Sequence, residues 1–376
     1  MKLISLVPNF APASDGIGDY ALSFAREFHA KTGVQSHFVV ANPGWQGENR
    51  VEEFAVSHLP LRSTTGLLSR LHDLSTEPSA VLLLHYEGYG YAQRGCPLWL
   101  VNALEQWRAE DNRRRLVIMF HELYAWGPPW TSAFWLSALQ KNLTTRLARL
   151  SDQWMTSLEG YAATVRRMTL NATAQAYSLP VFSSIGEPVA APPLAERCRR
   201  LIVFGTRGRR IEVYKRSSAD LNRICQRLGI TEILDIGRFI EFDFAGQLHV
   251  PVRALGELPG AEVSRLLLDA VAGVIDYPAS MLGKSTIFAA YCAHRVMPIV
   301  APYGDSTPAD GLEADRHYWL TDVQSSRLSL DAGQVIADNA FAWYQSHTLA
   351  AHAETFAACL WDNSYSMKAD AVGIGD

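Results

Sequence analysis

No stretch of the chain approaches the roughly 20 consecutive apolar residues that span a bilayer, so a membrane-spanning helix is excluded as the organising element. Paired cysteines are also missing. Cys96, Cys198, Cys225, Cys292 and Cys359 lie far apart, with no C-x-x-C among them. That excludes the usual zinc spacing and predicts reduced, mostly buried thiols in a cytoplasmic protein. Neither sign of charge is in large excess: 34 Lys and Arg against 38 Asp and Glu leave a formal net charge of −4. A basic footprint for nucleic acid is therefore absent, and no nucleic-acid partner is expected. There is no internal repeat and no low-complexity segment. The opening MKLISLVPNF has too short an apolar stretch for a signal peptide and turns at once into a polar, Gly-containing loop.

Apolar material is what the chain has in quantity. Hydrophobic residues make up 48%, and ten tryptophans are among them. With 376 residues, at roughly 100–200 per domain, two domains are expected. Short apolar runs recur at residues 2–7, 36–40, 80–85, 115–120, 153–157 and 176–181, then at 201–205, 232–237, 271–277 and 296–301. Most are continuously apolar rather than alternating, as strands buried on both faces of a parallel sheet are. Amphipathic stretches at 22–30, 98–108, 132–150, 217–228 and 261–269 separate them. This alternation predicts an α/β protein with two Rossmann-like, doubly wound parallel sheets. Pro- and Gly-rich residues 186–193 predict a boundary near 190. The expected domains are 1–190 on the acceptor side and 191–340 on the nucleotide-sugar side. Residues 341–376 would form a terminal helix, packing back across the first domain, and a tail.

Five features can carry chemistry. Asp15-Gly16-Ile17-Gly18 follows the first strand and opens a helix, where glycines permit close backbone approach and the helix N-terminus favours an anion. Arg207, Arg209 and Arg210, with Lys215, follow the first strand of the second half, where guanidinium groups suit a diphosphate. Gly283-Lys284-Ser285-Thr286 opens another helix. It is not a P-loop, because Pro278 stands where the first glycine would be. His121 and Glu122 end the apolar run 115–120, the end of a strand at which chemistry is usually placed. Trp126, Trp130, Phe134 and Trp135 precede Lys141, Arg146 and Arg149. Such a stripe is either a core face or a surface for lipid.

From Gly256 onward, Gly256-Glu257-Leu258-Pro259-Gly260, Tyr277-Pro278, Ser280, Gly283, 288–294 and 298–300 follow one ordered pattern. It resembles the carboxyl-terminal domain of GT-B glycosyltransferases, especially the retaining family 4, group 1 type that includes sucrose synthases and bacterial mannosyl- and glucosyltransferases. The Asp15–Gly18 loop, His121 and the segment 156–159 are similar to the other half of that fold. The resemblance implies two Rossmann-like domains facing a cleft. A UDP- or GDP-sugar donor would be held mainly by the second domain, and a saccharide or lipid-linked acceptor by the first. It implies that His121 contacts the transferred sugar; with Glu122 beside it at the strand end, the two are the expected catalytic residues. Donor contacts would come from Gly16, Ile17, Arg207, Arg209, Arg210, Lys215, Glu257, Leu258, Gly283, Lys284, Ser285 and Thr286. No metal and no cofactor are expected, the nucleotide sugar being a substrate. Polysaccharide or glycoconjugate biosynthesis is the implied setting, with peripheral contact at the inner membrane face. Where that family carries two glutamates, this chain carries Met281 and Ala289, and His294 replaces a glycine. Two other readings follow: a non-catalytic GT-B protein that binds a saccharide or partner enzyme, and a nucleotide-sugar epimerase using Glu122 and Glu187.

Overall fold

The computed structural model describes residues 3–13, 15–75, 81–170, 175–301, 304, 307–321 and 328–361. Expected strand ends at residues 2 and 80, Ser14 of the first loop and the tail from 362 onward lie outside the described residues. Two compact units are present, one of Met1–Leu179 with Leu349–Asp376, the other of Pro180–Thr348.

The first unit begins with β1 (Leu3–Val7), α1 (Gly16–Thr32), β2 (Ser36–Val40), β3 (Arg50–Val51), β4 (Phe54–His58) and α2 (Thr64–Leu74). It continues through β5 (Val81–Tyr86), α3 (Gly88–Tyr91), α4 (Leu98–Glu110), β6 (Arg115–Phe120), α5 (Ser132–Leu150), β7 (Gln153–Thr156), α6 (Glu159–Thr169) and β8 (Gln175–Ser178). The sheet order is β3-β4-β2-β1-β5-β6-β7-β8, with only β3 and β4 antiparallel. Every residue of β1 and β5 is buried, which is why their sequences, LISLV and VLLLHY, do not alternate. α1 runs between defined stops. Asp15 caps its start by accepting from Gly18 N at 3.0 Å, and left-handed Gly33 ends it. Its inward face, Tyr20, Ala21, Phe24, Ala25 and Phe28, is buried. Each fully buried aromatic or Leu side chain contributes roughly 1.5–3 kcal/mol.

The second unit contains β9 (Cys198–Phe204), α7 (Arg207–Leu228), β10 (Glu232–Ile236), α8 (Phe244–Gln247), β11 (Val252–Gly256), α9 (Gly260–Asp269) and β12 (Ala270–Asp276). Then come α10 (Thr286–Ala293), β13 (Met297–Ala301), β14 (Trp319–Leu320) and α11 (Leu330–Tyr344). Its six strands are all parallel, in the order β11-β10-β9-β12-β13-β14. The last described helix, α12 (Leu349–Trp361), belongs to the first unit. There Phe356 packs on Phe24 with ring centroids 4.5 Å apart, and Arg115 donates to the Cys359 and Leu360 carbonyls.

The division falls at Leu179/Pro180 rather than near 190. Val181 N donates to Gly283 O at 2.8 Å, and Ser183 N to the Tyr344 hydroxyl at 2.7 Å. These bonds bind the residues just before the Pro-rich segment 186–193 into the second unit. Of the five cysteines, Cys225, Cys292 and Cys359 are buried, Cys96 is half-buried and Cys198 is exposed; all are free thiols. Among the described residues, no helix is long and apolar enough to cross a membrane.

Candidate functional site

In an open parallel sheet, ligands bind outside the carboxyl ends of the strands where strand order reverses. Each unit has one such point. In the first it lies between β1, which leads out to β2, and β5 on its other side. The Asp15–Gly18 turn follows β1 here. Its two glycines have different reasons. A Cβ on Gly18 would lie 2.8 Å from Asn9 O and 3.2 Å from Phe10 Cα, so packing of helix on loop requires glycine. A Cβ on Gly16 would meet nothing within 4 Å. Gly16 is exposed and Ile17 half-buried, so the space at the helix start is open. Burial pushes the Asp15 carboxyl pKa up, opposed by its bonds from backbone N–H groups. An anion arriving at this helix end would meet that carboxylate.

His85, the penultimate residue of β5, is fully buried, and His121 follows β6. His85 Nδ1 and His121 Nε2 are 3.2 Å apart, so one carries the shared proton. Burial lowers the His85 pKa to about 3, which keeps its imidazole neutral. Tyr20 sits edge-on to the His121 ring at 5.0 Å, and its hydroxyl is 2.9 Å from His352 Nδ1. His121 is therefore part of a packed histidine–tyrosine cluster.

Glu122 leaves this cluster. It accepts from the Tyr161 hydroxyl at 2.6 Å and lines a 290 Å³ cavity with Glu87, Tyr89, Tyr124, Trp126 and Gln140. The residues expected to act as a catalytic pair thus have different neighbours, because successive residues of an extended chain face opposite ways. Gln140 fixes one wall, donating to Arg94 O at 2.8 Å while its side-chain oxygen accepts from Ala125 N at 2.7 Å.

In the second unit, strand order reverses between β9 and β12. A 340 Å³ cavity opens there, lined by Thr206, Gly208, Arg209, Ile211, Glu212, Arg216 and Asp276. Arg209, in the first turn of the 22-residue α7, lies 3.8 Å from Asp276 and stacks its guanidinium over Tyr277 at 4.9 Å. Arg216 lies 3.4 Å from Asp276 and 2.8 Å from Glu212. Asp276 closes β12 at 1% exposure, and burial pushes its carboxyl pKa up against the pull of Arg216 and Arg209. Asp276, Arg216 and Glu212 escaped the sequence reading. The available signal was the acid Asp276 near the end of the otherwise apolar run 271–277.

Arg210 corrects an expectation. It is 1% exposed, and its guanidinium donates to the Asp235 carboxylate, Gly205 O and Arg238 O. At that burial its guanidinium is part of the core rather than of a surface open to a ligand. Instead Arg210 ties the β9 and β10 loops together. Gly237, at φ +136°, makes room: a Cβ there would lie 2.8 Å from Arg210 Nε and 2.7 Å from Gly205 O.

The remaining expected donor contacts are dispersed. Arg207 and Lys215 are exposed on α7 and do not line the cavity. Glu257, past the end of β11, pairs with Arg238 at 3.0 Å, and Leu258 beside it is half-buried. Gly283 is buried with its carbonyl engaged by Val181 N, Lys284 closes a 3₁₀ turn, and Thr286 is the first residue of α10. Ser285 caps α10 itself, its hydroxyl accepting from Phe288 N at 3.2 Å. At the two positions marked by missing glutamates, Met281 is half-buried and Ala289 is 2% exposed within α10. Glu187, expected in an epimerase, accepts from the Tyr344 hydroxyl at 2.5 Å. Among the described residues, no group of three or more His, Cys, Asp or Glu is arranged to hold a metal ion.

No protein-family model matches this sequence, and no curated protein matches it. Solved structures do match in fold. One is the pneumococcal O-GlcNAc transferase GtfA in complex with UDP and GlcNAc, at 9% identity and TM-score 0.63, covering 97% of this chain and 99% of that one. A second is the lipopolysaccharide outer core galactosyltransferase WaaB in its apo form, at 12% identity and TM-score 0.59, covering 96% and 100%. A third is described as a UDP-N-acetylglucosamine 2-epimerase from Listeria monocytogenes, at 10% identity and TM-score 0.53, covering 97% of each chain. The architecture of two parallel-sheet units is that of GT-B glycosyltransferases. Structures described as transferases and one described as an epimerase share this architecture, so the fold alone does not choose a function.

Proposed function

We propose that this chain is a glycosyltransferase that moves a sugar from a nucleoside-diphosphate sugar to a hydroxyl of a saccharide or lipid-linked acceptor. The observation that carries the reading is the cavity at the strand-order reversal of the second unit, lined by Arg209 in the first turn of α7 and by Arg216, whose present partners Asp276 and Glu212 a diphosphate would displace. A diphosphate leaving group develops negative charge as the anomeric C–O bond breaks, and fixed guanidinium groups and a helix N-terminus stabilise it. In the same step an acceptor oxygen bonds to the anomeric carbon and its hydroxyl proton departs to a base. Arg209 and Arg216 would supply the charge that a metal supplies elsewhere, so turnover is proposed to be metal-independent. Support for the donor class comes from the fold relative solved with UDP and GlcNAc. For the acceptor, the 290 Å³ cavity offers two carboxylates, Glu87 and Glu122, as hydroxyl acceptors beside the aromatic face of Trp126.

A non-catalytic binder is the second reading. It is favoured by Ala289, a buried methyl group where the resemblance implies a carboxylate. Product analysis separates the two. Incubation with UDP- and GDP-sugars, a mixture of candidate saccharide acceptors and EDTA is expected to yield free nucleoside diphosphate and a glycosylated acceptor. Recovery of an epimerised nucleotide sugar would replace transfer by the epimerase reading. Binding without any product would leave the non-catalytic one.

A further inference from the structure

Residues 123–140 contain no charged side chain, yet much of this segment is at the surface. Trp126 is 83% exposed, Trp130 84%, Trp135 73% and Phe134 41%. The core side of α5 is supplied by other residues, Leu143, Leu147 and Ala148, so the aromatic stripe is not a misread core face. Its members are held together. Thr131 caps α5 by accepting from Phe134 N at 3.4 Å and donates to Pro128 O at 2.7 Å. A Cβ on Gly127 would lie 2.6 Å from Thr131 Oγ1 and 3.3 Å from Ala133 Cβ. The loop is thus folded tightly onto the first turn of α5, and Phe134 and Trp135 stack edge to face at 5.3 Å. Exposed large apolar residues concentrated this way mark an interaction surface.

On the α5 side of the patch the charge is of one sign, while Glu87 and Glu122 share the cavity that Trp126 lines. α5 carries Lys141, Arg146 and Arg149 and no acid. Arg146 is neutralised by Glu105 at 2.6 Å, but Lys141 and Arg167 line a 330 Å³ depression with Tyr124, Thr164 and Met168. Tryptophan and tyrosine favour the bilayer–water interface, and Lys and Arg beside them favour anionic headgroups.

We propose that the Trp126–Trp130–Trp135 knob docks this protein on an anionic lipid bilayer, with Lys141 and Arg167 receiving a lipid phosphate. Trp126 also lines the 290 Å³ cavity. If that cavity holds the acceptor, a step that rests on the transferase reading, an acceptor carrying a lipid would reach it from the bilayer surface.

The test uses the full chain and no nucleotide sugar, so its outcome is independent of the transferase reading. Co-sedimentation is measured with vesicles of phosphatidylcholine alone and of phosphatidylcholine with about one third phosphatidylglycerol, alongside tryptophan fluorescence. The protein is expected to bind the anionic vesicles with a blue shift and the neutral ones more weakly. The triple variant Trp126→Ser, Trp130→Ser, Trp135→Ser is expected to bind at least tenfold more weakly at an unchanged melting temperature, since these side chains are exposed. Lys141→Ala and Arg167→Ala should each cost roughly fivefold on anionic vesicles only. Absence of binding to anionic vesicles overturns the proposal. So does a reversible dimer in sedimentation velocity that the triple variant abolishes without any vesicle binding, which would assign the patch to a second copy of the chain.

Discussion

Arg210→Met is expected to destabilise the second unit by about 3–5 kcal/mol, the usual cost of removing one partner of a buried ion pair. For a unit of this size that lowers the melting temperature by roughly 6–20 °C. The reason is local. Asp235 is 2% exposed and receives the Arg210 guanidinium and the Tyr214 hydroxyl. Burial already pushes its carboxyl pKa up despite that arginine. Without Arg210 the carboxylate keeps the desolvation cost and loses the charge that offsets it, and Gly205 O and Arg238 O lose a donor. The double variant Arg210→Met, Asp235→Leu should recover much of the loss, because a buried ion pair replaced by apolar groups of similar size is often close to neutral. Calorimetry on the single and double variants checks both statements. A single variant that melted like the parent would show that Arg210 is not buried and paired as described.

Arg209→Ala is expected to do the opposite. Its guanidinium is partly exposed, its contact to Asp276 is 3.8 Å, and its stacking partner Tyr277 is beside the cavity. Because Arg209 is partly exposed and Arg216 still faces the buried Asp276 carboxylate, folding stability should fall only modestly, by about 0–1 kcal/mol. Loss of a charged hydrogen bond to the diphosphate costs roughly 1.5–3 kcal/mol, a ten- to 150-fold loss of nucleoside-diphosphate affinity. If the contact strengthens as the leaving group gains charge, kcat falls in addition to the affinity. Titration calorimetry on the purified variant supplies the affinity. Parent-like affinity would remove the cavity from the donor site. The two neighbouring arginines therefore separate stability from binding, a separation that three arginines in one motif do not suggest.

That contrast shows how far the sequence could be read. The parallel strands were legible because their apolar runs are uninterrupted: 115–120 and 271–277 differ from β6 and β12 by at most one residue at either end. β3, with only two residues, and β14, also of two, carry no periodic signal. The terminal helix expected from residue 341 falls across the end of α11 and α12, with the short turn Gln345–His347 between them. Side-chain direction was the main loss. Arg209 and Arg210 are adjacent letters in one basic loop, but on a helix they point about 100° apart, one to the cavity and one into the core. His121 and Glu122 diverge for the comparable reason in an extended segment. Asp276 and Arg216 are 60 residues apart along the chain, so only the sheet order could bring them together. Trp126, Trp130 and Trp135 have a composition compatible with either core or surface, and the packing of Leu143 and Leu147 decided between them.

The central claim is that the cavity between β9 and β12 holds a nucleoside diphosphate. The most direct measurement is the melting temperature of the full chain with UDP, GDP, ADP, CMP and TDP at millimolar concentration, without added metal. Ligand at 100 times its dissociation constant stabilises by about 2.7 kcal/mol, a rise of several degrees. One nucleoside diphosphate is expected to raise the melting temperature, and Arg209→Ala to abolish the rise. A flat response to every nucleotide would contradict that claim.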